Sequence, residues 1–135
     1  MPDKNPNHES FTIDVTGEQT GDRKVGKFTV KKRLSFRDQL TRDNLRRSLL
    51  GPAVGQPLPR ALSAANIFSE LGVRIVEAPS WWNDNDNGMD LEDDKVVAAV
   101  YDKTMEVEEK ALKALSKEAE KAVEDVKAAA ESDKA

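Results

Sequence analysis

The stretch Phe11-Thr12-Ile13-Asp14-Val15-Thr16 alternates apolar and polar side chains, and Phe28-Thr29-Val30 repeats the same alternation. A period of two places alternate side chains on opposite faces of a half-buried strand. Between the two stretches, Gly17 and Gly21-Asp22 provide residues that favour turns. The sequence therefore predicts an antiparallel β-hairpin over residues 10–32.

Val25 does not fit the phase of the second strand. Gly26 would permit a bulge that turns Val25 back to the buried face. A slightly longer loop explains the same residues equally well. Both alternatives stay open at the level of sequence.

Three helices are predicted after the hairpin, at about residues 36–50, 62–76 and 93–115. Ser35 is a good N-cap, and Gly51 with Pro52 ends the first helix. Apolar residues recur at helical spacing in the second and third ranges. Past Leu115 the apolar positions of the last helix shrink mostly to alanine. We therefore expect residues 116–135 to form a projecting or frayed helical tail.

The predicted fold class is α+β, a hairpin followed by about three helices, the last of them long and acidic. Residues 1–9 lack apolar periodicity and predict a disordered arm. Residues 51–59 are rich in proline and glycine, which predicts a surface linker. At 135 residues, the chain fits a single α+β domain over residues 10–115 with trailing arms.

The composition excludes several classes of protein. The chain has no cysteine, so it forms neither a disulfide nor a thiolate metal site. Residues 1–10 lack the apolar run of a secretory signal, and no stretch approaches the roughly 20 apolar residues that span a bilayer. These features predict a cytoplasmic protein that is not embedded in a membrane.

The charge of the chain is unevenly distributed. Residues 1–60 carry 12 Lys and Arg against 7 Asp and Glu, whereas residues 61–135 carry 9 against 18. Nucleic-acid binding is one interpretation of the basic centre. A solvated face, or a docking patch for the acidic C-terminal helix, is favoured because the net charge is −4 and Phe36 is the one aromatic residue of the segment. The basic residues are Lys31, Lys32, Arg33, Arg37, Arg42, Arg46 and Arg47.

Nothing in the sequence predicts an enzyme, a cofactor or a metal site. His8, the single histidine, lies in the predicted arm, and neither a serine nucleophile motif nor a phosphate-binding loop is present. Residues 83–94 resemble a calcium loop in having glycine at the sixth of twelve positions. Position twelve is Asp94 rather than a bidentate glutamate, so a loop that caps the last helix is the favoured interpretation.

Trp81 and Trp82 stand out because aromatic residues make up 5% of the chain. Paired aromatic side chains often anchor protein interfaces, but neighbouring residues point in different directions. We therefore expect one tryptophan to be buried and one exposed, with at least one as a candidate anchor for a partner.

The order of these features resembles the tail assembly chaperones of long-tailed bacteriophages. The resemblance spans most of residues 11–115. Its elements are the hairpin Phe11 to Val30, the helix start Leu34-Ser35 with Leu45-Arg46-Arg47 and Leu50-Gly51, the Ala-rich helix to Ile75-Val76, Ala78-Pro79-Ser80-Trp81-Trp82, and Asn87-Gly88 with Asp90-Leu91-Glu92-Asp93.

The resemblance implies a protein that binds the tape measure protein, and also tail tube subunits, before the tail polymerises. No cofactor is needed for that role, and self-association is a further expectation. The alternative is a structural virion subunit that stays in the particle, and the third hypothesis is a nucleic-acid-binding regulator. The partner contacts expected from the resemblance are Phe68, Leu71, Trp81, Trp82, Val100 and Val107.

Overall fold

The computed structural model describes residues 5–51 and 58–132. Residues 1–4 of the predicted arm, most of the predicted linker and residues 133–135 lie outside these ranges. Strand β1 runs from His8 to Thr16 and pairs antiparallel with β2, Arg23–Lys31. The start predicted for the hairpin at residue 10 is therefore two residues late, and His8 and Glu9 belong to the strand instead of an arm.

Gly26 serves close packing rather than a bulge. The β1–β2 ladder continues without interruption through the pairs of Ile13 with Gly26 and Asp14 with Val25. Val25 stays on the solvent side with 48% of its surface exposed, so the bulge hypothesis is wrong. A Cβ atom at Gly26 would lie 2.6 Å from Cγ of Pro79. Glycine at this position lets the segment around Pro79 approach the sheet.

Helices α1 and α2 form a pair beside the sheet. Helix α1 covers Phe36–Leu50, the range expected from sequence, and Ser35 and Asp38 form a reciprocal capping box at its start. Helix α2 covers Pro59–Arg74 and begins three residues before the predicted start, with proline in its first turn. The two helices pack where Leu45 leaves no room for a side chain at Gly72.

A third strand, β3, was not predicted. It comprises Ile75–Glu77 and pairs antiparallel with β2, which gives the sheet order β1-β2-β3. The predicted helix over 62–76 is wrong at its last two residues because Ile75 and Val76 fit the helical period of α2 as well as a strand. Pairing with Thr29 and Val30 is a long-range contact that local periodicity does not report.

One core joins the two halves of the chain. The short helix α3, Ser80–Asn83, and the long helix α4, Asp94–Ser132, both pack against the sheet. Phe28 stacks on Phe11 at 5.6 Å between ring centroids and meets the edge of Trp82 at 5.4 Å. The α+β class, with an N-terminal antiparallel sheet and a long last helix, is confirmed. The core residues are Ile13, Phe28, Leu71, Trp82, Val96, Val97 and Val100.

Candidate partner-binding surface

Four of the six predicted partner contacts lie in the interior. Leu71, Trp82, Val100 and Val107 are all buried, and Val100 has no exposed surface at all. These side chains hold the fold together, so the expectation that they form a contact surface is wrong for this structure. Helical and aromatic patterns identify apolar side chains. They do not distinguish side chains that pack in the protein's own core from side chains that contact a partner.

Trp81 and Phe68 are half-buried and stay candidate contacts. The indole Nε1 of Trp81 donates a hydrogen bond of 3.0 Å to the backbone oxygen of Val25, and the ammonium of Lys24 lies 5.7 Å from the Trp81 ring centroid. Trp81 is therefore fixed against the sheet, while Trp82 beneath it is 1% exposed. Phe68 lies on α2 in the wall of a groove.

That groove has a volume of about 720 Å³. It runs between α1 and α2 on one side and β3 with the loop after α3 on the other. Leu45, Leu49 and Ile75 contribute apolar side chains to it, and Glu77 and Asp86 contribute carboxylates. It offers a partly apolar surface on the body of the molecule.

A second apolar surface lies on the outer half of α4. We call it the α4 stripe. At about 100° per residue, its members fall within roughly 100° of one another around the helix axis, which places them on one face. This face is turned away from the side that is buried against the body at Val100, Thr104 and Val107, since Leu112 lies about 120° around the axis from Val100. Leu112, Leu115 and Val126 are 57%, 44% and 69% exposed. The α4 stripe comprises Leu112, Leu115, Ala119, Ala122, Val123 and Val126.

The outer half of α4 is helical without packing against the rest of the described chain. Every described side chain of residues 112–130 is exposed. The segment consists largely of Ala, Leu, Lys and Glu, the residues with the highest intrinsic helix propensity. Lys113 and Glu109 add an i,i+4 ion pair at 3.1 Å. The α4 stripe therefore presents an apolar face over about 21 Å from Leu112 to Val126, at 1.5 Å per residue.

The predicted basic residues do not form one face. Lys31 pairs with Asp38 at 3.0 Å, and Arg42 turns towards α2, where its Nη1 lies 3.0 Å from Glu70. Arg37, Arg46 and Arg47 are exposed on α1. Lys32, Arg33 and Arg42 share the wall of a small cavity near α4. A continuous phosphate-binding surface would need these side chains side by side.

Sequence analysis missed Arg74, the most buried charged side chain described. The guanidinium contacts Glu70 through Nε at 2.8 Å and Glu108 through Nη2 at 3.2 Å. The spacing of Glu70 and Arg74 by four residues is a signal for their pairing within α2. Their contacts with Arg42 and Glu108 depend on how α1, α2 and α4 pack. These four side chains form an ion-pair network across three helices.

The acidic loop before α4 binds the protein's own backbone. Asp93 accepts hydrogen bonds from the Gln19 backbone N–H at 2.7 Å and from the Thr20 hydroxyl at 2.6 Å. The hydrogen bond from the Thr20 hydroxyl is the main cause that lowers the pKa of Asp93 below its ordinary value, and the backbone donors add to it. Burial opposes this shift. The loop thus caps the hairpin turn, which sequence analysis did not anticipate.

Within residues 5–51 and 58–132, no group of three or more His, Asp or Glu side chains could hold a metal ion. No helix in the same ranges combines the length and the apolar character needed to cross a membrane. Burial is the main cause that raises the pKa of Tyr101, whose neighbours include Glu70 and Arg74.

Comparison with known proteins finds no matching family model, curated protein or solved structure.

Proposed function

We propose that this chain is a non-enzymatic assembly chaperone that binds an amphipathic helix of a partner protein along the α4 stripe. The observation that supports it is that α4 continues beyond its part buried at Val100 and Val107 and exposes large apolar side chains over residues 112–126. Covering one large apolar side chain contributes roughly 1.5–3 kcal/mol. Leu112, Leu115 and Val126 together would therefore support a reversible complex.

The shape of the stripe favours a helical partner. A preformed helix loses little conformational freedom when it binds, which lowers the cost of association. Ala119 and Ala122 lie between the larger residues and allow another helix to approach closely. Charged residues on the remaining faces of α4 would keep the complex in solution. These are the properties needed to shield the apolar helices of a partner before it polymerises.

The resemblance to phage tail assembly chaperones supplies a specific partner for this proposal. We take the partner to be the tape measure protein or a tail tube subunit, bound in the host cytoplasm and released when the tail assembles. Phe68 and Trp81 stay candidate contacts because part of each side chain is accessible.

Co-expression with a helical fragment of the tape measure protein tests the proposal. Leu115→Lys with Val126→Lys should reduce co-purification at least tenfold without changing the melting temperature, because both side chains are exposed. Ala114→Lys with Ala128→Lys adds the same charge to other faces of α4 and should bind normally. Full binding by the first variant would exclude the α4 stripe as the contact surface.

The exposed edge of β1 favours a second candidate, a structural subunit of the particle. In the described part of the chain, the nine-residue strand β1 pairs on one side, so its other edge is open to a strand from a neighbour. Mass spectrometry of purified particles separates the two functions. An assembly chaperone should be absent from finished particles, whereas a structural subunit should be present at fixed copy number.

A further inference from the structure

Arg74 carries hydrogen-bonding capacity that the described residues leave unused. Its side chain is 3% exposed, and its Nη1 atom is buried with no hydrogen-bond partner among those residues. Nε and Nη2 are occupied by Glu70 and Glu108. A buried guanidinium N–H without an acceptor is costly, and such groups are normally satisfied by protein, water or ligand.

Arg74 is one of the residues that line a cavity of about 270 Å³, which we call the basic cavity. Four cationic side chains and one carboxylate line it. Arg42 and Arg74 are balanced by Glu70 and Glu108, but Lys32 and Arg33 form no ion pair within the described residues. The cavity thus has an excess of positive charge. Because Nη1 of Arg74 is buried, the side chain must turn before that atom can meet a ligand. Its charged residues are Lys32, Arg33, Arg42, Arg74 and Glu108.

The basic cavity adjoins the α4 stripe. Leu112 is both the first residue of the stripe and part of the cavity wall. A helix that packs along residues 112–126 would therefore have one of its ends at the cavity. An acidic side chain at that end would meet the positive charge of Lys32 and Arg33.

We propose that the basic cavity binds a carboxylate, supplied by an Asp or Glu side chain at one end of the partner helix. This inference rests on the proposed function, since the α4 stripe supplies the helix. A carboxylate matches the paired N–H groups of a guanidinium. The anionic side chains of a protein helix are Asp and Glu, so charge complementarity with the basic cavity indicates a carboxylate. The charge contact would determine which way the partner helix runs along α4.

Sodium propionate, which mimics a Glu side chain, tests the cavity without any partner. It is titrated into the full-length ¹⁵N-labelled chain at constant ionic strength, and the side-chain Nε–H signal of Arg74 and the backbone amide of Leu112 are followed by NMR. Saturable shifts of both signals are expected. Shifts that sodium chloride reproduces, or the absence of a saturable shift at Leu112, would overturn the carboxylate assignment.

Charge-removing variants localise the effect. Lys32→Gln with Arg33→Gln should weaken propionate binding about tenfold, since both uncompensated charges are lost. Lys117→Gln with Lys121→Gln removes the same charge from α4 outside the cavity and should leave binding unchanged. Equal weakening by both pairs would mean that propionate senses net charge alone, which would overturn the inference.

The partner assay separates this inference from the proposed function. If Lys32→Gln with Arg33→Gln leaves partner affinity unchanged while Leu115→Lys with Val126→Lys abolishes it, the proposed function stands and the carboxylate contact is wrong. If the stripe variant retains the partner, the proposed function fails, and propionate binding still reports on the cavity by itself.

Discussion

The side chain of Asp93 joins two parts of the molecule that are far apart in sequence. Its carboxylate contacts Gln19 and Thr20 in the hairpin turn, 74 and 73 residues away. A Cβ atom at Gly17 would lie 2.1 Å from Oδ2 of Asp93, so glycine is required for the contact. A residue that looks like an ordinary helix-capping acid thereby fixes the hairpin turn against the start of α4.

Val100 provides the sharpest single-residue test of whether the predicted contact residues on α4 are buried in the core. Val100→Asp puts a charge at a site with no exposed surface, and we expect a loss of more than about 4 kcal/mol or complete unfolding. Val25→Asp places the same side chain at a half-exposed position and should cost no more than about 1 kcal/mol. Urea denaturation followed by tryptophan fluorescence measures both. If Val100→Asp unfolds at the same urea concentration as wild type, Val100 is not buried in the core.

At the scale of elements, the sequence predicts what depends on local pattern and capping. The alternation from Phe11 to Thr16 and the N-cap at Ser35 are local signals, and β1 and α1 appear where these signals lie. Strand β3 depends on pairing with β2, and its side chains also fit a helix. Periodicity likewise identifies the apolar face of α4, but the point where its burial ends depends on the extent of the sheet and α2 beneath it.

Truncation of α4 tests the division between its packed and projecting halves. A chain that ends after Ala111 should keep the wild-type melting temperature to within a few degrees, because the removed side chains that the structure describes are exposed. It should lose helical circular dichroism and partner binding. A chain that ends after Ala99 also loses Val100, Thr104 and Val107 and should not fold. Equal destabilisation by both truncations would mean that the outer half packs on the body.

For the whole molecule, the opposite charges of the two halves contribute less than their shared core. Arg42 with Glu70 joins the basic half to the acidic half through partly buried side chains, whereas Arg60 with Asp94 and Lys95 with Glu18 do so through side chains that are more than half exposed. Such surface pairs contribute about 0–1 kcal/mol each. Docking of the acidic helix on the basic segment is one interpretation of the charge asymmetry, and the core through which the structure joins the halves includes Phe28, Trp82 and Val100.

The pH dependence of stability should reveal the role of the anchoring carboxylates. Asp14, Asp38 and Asp93 each have a lowered pKa, caused chiefly by Arg23, Lys31 and the Thr20 hydroxyl respectively. A lowered folded-state pKa means that the unfolded chain takes up protons first as the pH falls. The stabilisation is therefore complete well above the ordinary value of 3.8 and is lost as the pH falls through the lower folded-state values.

Asp93→Asn isolates one of these carboxylates. Urea denaturation should find the variant less stable than wild type at pH 7, with the difference narrowing at pH 3 because the unfolded wild-type chain takes up a proton at Asp93 before the folded chain does. Because the main donors to Asp93 are a neutral hydroxyl and backbone N–H groups, 0.5 M salt should preserve that difference, whereas it should weaken the contribution of the exposed Asp14–Arg23 pair. Stability curves for wild type and Asp93→Asn that run parallel from pH 7 to pH 3 would mean that the ionised carboxylate does not stabilise the hairpin turn.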